Sequence, residues 1–413
     1  MQSPDLNSIL CSRIHHSGFL PTRSNRLSAV ITFPLMALVV VLVLTLTVTA
    51  AAQTESVIYS FANPPDGYGP QSNLVSDPAG NMYGTTVNGG VNNQGAVVMV
   101  TPTGTESVVY SFKSGTTDGH HPVAGLVRDK KTGNLYGTTI FGGQTNSGTV
   151  FMVNPATGTE TVLYNFQGGI DGINPYSAVV RIGTTIFGTT FNGGQFGYGT
   201  VFSLTSQGKE TVLHSFNSAF PTLDGAHPYG GLVVSKGLLY GTTTMGGVGN
   251  LGTVFSITKT GGYVSLYTFK GGTADGQSPN AGVLFDSAGN IYGTTYGGGL
   301  ANAGTIYKIS AGGGESILHH FGRDTGDGVN PYSSLIKVKT SFYGTTLQGG
   351  SANGGTVYKI TPSGTETVVH SFTGGADGFN PYGSLLLGTD KALYSTTQTG
   401  GSSNLGTVFK VIP

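Results

Sequence analysis

A tetrad of one aromatic residue, Gly, Thr and Thr starts at Tyr83, Tyr136, Phe187, Tyr240, Tyr292 and Tyr343, and returns at Tyr394 as Tyr-Ser-Thr-Thr. Consecutive copies lie 51, 52 or 53 residues apart across a chain of 413 residues. Each tetrad is followed by a Gly pair and then by a strand-like run such as GTVF at Gly148, Gly199, Gly252 and Gly406. The first copy drifts to GAVVMV at Gly95. Runs of the type ETVLYNF come next, closing on Phe61, Phe112, Phe166, Phe216, Phe269, Phe321 and Phe372. An Asp-Gly follows each Phe, most often with Asn-Pro or His-Pro just beyond. A short apolar run (AGLV, SAVV, GGLV) then leads back to the tetrad.

Every unit thus offers four β-branched and aromatic segments separated by Gly, Pro, Asn and Asp, and no window sustains a helical period. In ETVLYNF, alternation predicts Val162, Tyr164 and Phe166 on one face and Leu163 on the other, so both faces of the sheet need cover. Four strands per unit of about 50 residues point to a propeller, whose small sheets stack face to face around an axis. The ends are informative. ESVIYSF (residues 55–61) is a fourth strand without its first three, and GTVFKVI near Pro413 is a third strand without its fourth. Six complete units and these two fragments make seven. The expectation is an all-β, seven-bladed β-propeller of four-stranded antiparallel blades, with strand 55–61 completing the last blade and removing an exposed edge.

These motifs resemble the bacterial tandem-repeat proteins known as GloVer repeats, whose units run close to LYGTT, GG, GTVF, ETVLYSF, DG and Pro in that order. The resemblance spans nearly all of Glu55–Pro413 and departs at AVVM in the first copy, at Tyr263 in the Glu column and at Ser395 in the Gly column. It implies an exported protein, with no established enzymatic activity in the family. Family members carry varied C-terminal anchors, and no such tail is visible here. The order of strands within a blade is also similar to kelch, a likeness of fold alone.

Residues 1–52 form a separate segment: Arg13, Arg23 and Arg26 precede the apolar run Leu27–Ala52, which ends Ala-Ala-Ala. Such a pattern reads as an export signal cleaved before Gln53, or as an uncleaved anchor long enough to span a bilayer. The stretch ahead of the run is long for a signal, which leaves a start further in open. Both readings place residues 53–413 outside the cytoplasm, secreted, in the periplasm or at the cell surface. Cys11 is the only cysteine, so neither an intramolecular disulfide nor a cysteine metal cluster is available. The formal net charge is zero and only 9% of residues are charged, which argues against nucleic acid and against membrane contact beyond the leader. A monomer is expected.

In a four-stranded meander the long polar connections gather on one face, here the Gly-pair loops and the Asp-Gly-x-Asn-Pro loops. Loops held on a rigid scaffold favour binding. Tyr176, Tyr229, Tyr332 and Tyr382 each follow a Pro there and either stack on a sugar or pack beneath the loop. Asp118, Asp171, Asp224, Asp275, Asp327 and Asp377, with Asp66, repeat at one place per unit. They are either oxygen ligands for Ca²⁺ or caps of their own turns, with the following Gly supplying a positive φ. His214, His319 and His370 replace a column Tyr, and His121 and His227 replace a column Asn, which reads as substitution within a repeat. The Glu column reads as the end of a hairpin. No catalytic set is expected, and no histidine metal set, since the histidines are spread over different blades; phosphate is not expected either, since each Gly-rich loop passes into a strand and not into a helix. The acids outside the columns, Asp324 and Asp390, stand at unrelated points. The expected function is a non-catalytic binding or adhesive module for an extracellular glycan or surface protein. The alternatives are a structural cell-surface scaffold and a polysaccharide-active hydrolase or lyase.

Overall fold

A computed structural model describes residues 55–218 and 224–413. The leader of residues 1–52 lies outside the described residues. Residues 53–413 form one compact unit. Among the described residues there is no helix, and therefore none that could cross a membrane.

Each unit of sequence becomes one antiparallel sheet, strands a to d from the axis outward. In blade 2 these are Val127–Arg128, Leu135–Thr139, Thr149–Asn154 and Thr159–Asn165. Six blades are contiguous in sequence. The seventh takes strands a to c from Leu386–Leu387, Leu393–Thr397 and Thr407–Val411, and strand d from Glu55–Ser60. Its register runs from Glu55 opposite Val411 to Ser60 opposite Thr407, and Phe61 N–H donates to Gly406 O at 2.9 Å. The expected closure is what the chain does.

The core is divided into seven apolar clusters, one between each pair of neighbouring blades. An open array of seven units would have six. The seventh cluster joins Phe61, Tyr394 and Val408 of the last blade to Leu74, Met82 and Val98 of the first. The Phe that ends each strand d is at most 1% exposed. From the first blade to the sixth it meets an aromatic ring of the next strand c edge-on, as Phe112 does Phe151 at 5.1 Å. The tetrad Gly faces that ring: a Cβ on Gly137 would stand 2.6 Å from Phe151 Cζ.

The two tetrad threonines have different partners. The first crosses to the next blade, as when Thr85 Oγ1 donates to Ala124 O at 2.9 Å and Thr242 Oγ1 to Ala281 O at 2.9 Å. Thr396 repeats the bond to Ser72 O at 3.3 Å, across the closure. The second pairs with the Thr of strand c, Thr139 Oγ1 and Thr149 Oγ1 lying 2.8 Å apart. Blade 1 has Ala96 at that place in strand c.

One expectation needs correction. Strands c and d are offset by a β-bulge at the same point in every blade, so Val162 opposes Phe151 while Tyr164 opposes Val150. The extra residue breaks the alternation. Leu163 and Tyr164 therefore both pack against the core between blades 2 and 3, where strict alternation would place them on opposite faces.

Candidate functional site

The Asp-Gly loop after strand d and the Gly-pair loop after strand b meet on one face. In blade 2, Gly119–His120 pairs with Phe141–Gly142, and single bridges do the same at Ile173 with Asn192 and Phe379 with Thr399. These pairings tie the two loops of each blade into one rigid corner. The Asn of Asn-Pro sits at positive φ, 57° at Asn174 and 57° at Asn330. His121 and His227 adopt the same conformation at 55°, so both act as column replacements and not as a cluster.

The corner sets the next residue but one. In every blade a residue at positive φ followed by Pro fixes the chain so that the residue after Pro points at the axis, where the seven blades supply Gln71, Val123, Tyr176, Tyr229, Asn280, Tyr332 and Tyr382 in turn. All seven line a cavity of about 230 Å³ on the propeller axis, floored by the starts of the innermost strands. The four tyrosines come together as a crescent. Tyr176 stacks on Tyr229 at 5.3 Å, Tyr229 meets Tyr332 edge-on at 5.4 Å, and Tyr332 meets Tyr382 at 5.0 Å. Phe191 buttresses Tyr176 at 5.2 Å. Every ring is half-buried. Burial pushes the Tyr229 phenol up to about 12 and raises Tyr332 further, so both hydroxyls are neutral donors at any physiological pH. The crescent is open toward Gln71 and Val123, with Asn73 and Asn280 supplying further amides. Gln71 and Asn280 were not singled out from sequence, although they occupy the same post-Pro column as the tyrosines. That column was the available signal.

The aspartates do not converge. Each turns its carboxylate back into its own loop, accepting a backbone N–H from the segment after the strand-d Phe at 2.5–2.9 Å. The column Tyr or His completes the cap: Tyr110 Oη donates to Asp118 at 2.8 Å, Tyr164 Oη to Asp171 at 3.0 Å and Tyr267 Oη to Asp275 at 2.8 Å. His214 reaches Asp224 at 3.0 Å and His319 reaches Asp327 at 3.3 Å, whereas His370 stands 3.4 Å from Asp377 without a hydrogen bond and Thr373 Oγ1 donates to that carboxylate at 2.6 Å. His214 and His319 thus substitute for Tyr as the same ligand to the same carboxylate. The Gly beside each Asp has a different reason from the one expected. Only Gly172 and Gly378 of the seven have positive φ, at 121° and 109°. What all seven share is close approach to the second tetrad Thr; a Cβ on Gly119 would lie 2.1 Å from Thr139 Oγ1.

Asp324 is exposed, and Asp390 sits in a turn bound to Tyr394 Oη at 2.9 Å and Lys410 Nζ at 2.8 Å. Neither reaches the axis. None of the residues lining the axial cavity is acidic, basic or histidine. The same face carries exposed apolar side chains on its loops, including Val91, Ile170, Val248 and Leu300.

Seven closed blades with a polar-aromatic axial mouth define a β-propeller repeat protein. Residues 77–283 and 252–413 match the Gloeobacter/Verrucomicrobia repeat, and the chain belongs to that family. This is the family that the tetrad, Gly-pair and Asp-Gly motifs resemble. No relative is found among curated proteins. Among solved structures, the chain is similar to the extracellular domain of a candidate one component system from B. thetaiotaomicron, with 15% identity and a TM-score of 0.54. That likeness covers 87% of this chain and 42% of the other. It is also similar to an oligogalacturonate lyase from Vibrio parahaemolyticus, with 11% identity, a TM-score of 0.52 and coverage of 88% and 94%. At such identities the likeness is one of fold.

Proposed function

We propose that this chain is an exported, non-catalytic binding module that takes a carbohydrate residue in the axial cavity of its loop face. One observation carries the reading: four tyrosines from four different blades converge beside amide side chains, around a cavity sized for one small ligand. Apolar rings with a few placed hydrogen-bonding groups are the usual composition of a small-molecule site. A sugar ring offers C–H faces to the former and hydroxyls to the latter. Catalysis of glycan cleavage would need two carboxyl groups in different environments beside the ligand, and the cavity lining offers none. Export rests on the basic and apolar leader, and the exposed loop residues suit attachment to a larger surface.

Binding of the protein to a glycan array, followed by titration calorimetry, tests this. A retained glycan is expected, with Tyr229→Ala or Tyr332→Ala weakening it at least ~10-fold, the equivalent of about 1.4 kcal/mol. Tyr176→Phe keeps the ring and is expected to cost far less. The scaffold reading draws on the tyrosines' contacts with one another. It predicts that the alanine variants lower the melting temperature and that no glycan is retained by the parent protein.

A further inference from the structure

Between neighbouring blades, away from the axis, a second constellation repeats that the axial site does not use. The Glu that opens strand d in one blade faces the loop Asp of the preceding blade. Six such pairs exist: Glu55 with Asp377, Glu106 with Asp66, Glu160 with Asp118, Glu210 with Asp171, Glu315 with Asp275 and Glu366 with Asp327. In all six glutamates Oε1 is buried and without a hydrogen-bond partner. Two carboxylates facing each other in a half-buried groove, with a buried oxygen of the Glu unsatisfied, is an unstable arrangement unless something sits between them.

The Asp of each pair already accepts a backbone N–H and a side-chain donor, a Tyr or His at five pairs and Thr373 at Asp377, so it is the acceptor. The orphan Oε1 of the Glu is the atom that lacks a proton. The seventh position shows what the site wants. There Tyr263, a neutral hydroxyl, stands in for Glu and faces Asp224, stacked on His214 at 4.0 Å. A hydroxyl replaces a protonated carboxyl in kind, whereas it is a poor substitute for a cation ligand. Lys113 beside Glu160 and Lys270 beside Glu315 further oppose a bound cation at those two pairs.

We infer that the six interblade Glu–Asp pairs are proton-binding sites, each holding one shared proton on the glutamate, so that the propeller tightens in mildly acidic surroundings and loosens as they turn alkaline. Burial first, and the facing Asp second, push Glu55, Glu106, Glu210, Glu315 and Glu366 up to about 7, and Glu160 up to about 8. Tyr59 faces the Glu106 pair and Tyr110 the Glu160 pair. Tyr164 faces the Glu210 pair, Tyr267 and the buried Tyr307 the Glu315 pair, and the buried Tyr358 the Glu366 pair. His370, held low by burial, lies at the Glu55 pair. His319 and Asp324 lie at the Glu366 pair. The sign follows from these rises. A carboxyl bound to its proton more tightly in the folded chain than in the unfolded one contributes in full below the ordinary value of 4.5, and the contribution is lost as pH climbs through about 7.

Thermal melting across pH tests the inference. For the parent protein, Tm is expected to fall by about 5–10 °C between about pH 5 and about pH 8.5. The triple variant Glu106→Gln, Glu160→Gln, Glu210→Gln replaces three protonated carboxyls by neutral amides, and its fall is expected to be roughly half as large. A second readout needs no variant: the infrared carbonyl band of protonated carboxylic acid persists at about pH 6, where solvated carboxyls are ionised. A flat melting profile, or no such band, overturns the inference. So does a rise in Tm on adding Ca²⁺ at about pH 8 that the triple variant lacks, because the pairs would then be cation sites.

Discussion

Deleting residues 55–61 leaves a chain that no longer closes and that aggregates on expression or melts far below the parent. The deletion removes strand d of the last blade, exposing the edge of Thr407–Val411 with Val408, Phe409 and Val411 along it. It also empties Phe61 from the cluster that joins the last blade to the first. An unpaired apolar edge is a template for another chain. The milder change Phe61→Ala keeps the ladder and removes only the ring, which is 1% exposed. Its expected cost is about 3–5 kcal/mol, read from the midpoint of denaturant unfolding. Somewhat larger losses are expected from Phe112→Ala or Phe269→Ala, because these rings also meet Phe151 and Tyr307 edge-on, whereas Phe61 packs in a cluster with Val98 of the first blade. A deletion variant that stays monomeric and melts within a few degrees of the parent would mean the ring closes some other way.

Substituting Gly119 by Ala is the second large effect, and it isolates packing from backbone conformation. Gly119 has no positive φ to protect, so conformational strain contributes nothing. The added methyl meets Thr139 Oγ1 at 2.1 Å, Thr139 Cγ2 at 2.6 Å and Thr149 Oγ1 at 2.6 Å. Those atoms belong to the threonine pair that ties strand b to strand c. Relief requires breaking that pair or moving the loop corner, at a cost of about 2–3 kcal/mol. Thr139→Ala alone loses the hydroxyl pair. In combination with Gly119→Ala it removes the two closest obstructing atoms, so the double variant is expected to be more stable than the sum of its singles implies. Urea denaturation of the four proteins of this cycle checks it; strict additivity would show that the contact is not the cause.

Much of this architecture was legible in the chain itself. Seven copies of YGTT and of the strand-d Phe set the blade number, and the split first and last units announced the closure. Both survive because a repeat writes the same local physics many times, so a single drift such as AVVM at residues 96–99 is outvoted. The loop face was legible for the same reason. The bulge that turns Leu163 and Tyr164 toward one core was not, because a bulge leaves no trace in apolar alternation. The reason for the Asp-Gly glycine was misread, since Gly in a turn suggests φ and only the tertiary structure reveals a neighbour's hydroxyl standing where a Cβ would go.

The candidate sites divide along the same line. Tyr176, Tyr229, Tyr332 and Tyr382 were visible as a column, but their meeting was not. The Tyr229–Tyr332 contact skips a blade and depends on how far each corner leans toward the axis. The Glu–Asp pairs were hidden more deeply, with both columns visible and their partnership invisible, because Glu106 and Asp66 belong to different sheets. By itself the chain determined what repeats: strand count, blade count, turn chemistry and the self-closing order of its ends, all consequences of local periodicity. Only the tertiary structure decided what faces what across the gaps between blades and across the axis. Those distances arise from stacking seven twisted sheets in a circle, and no single repeat contains them.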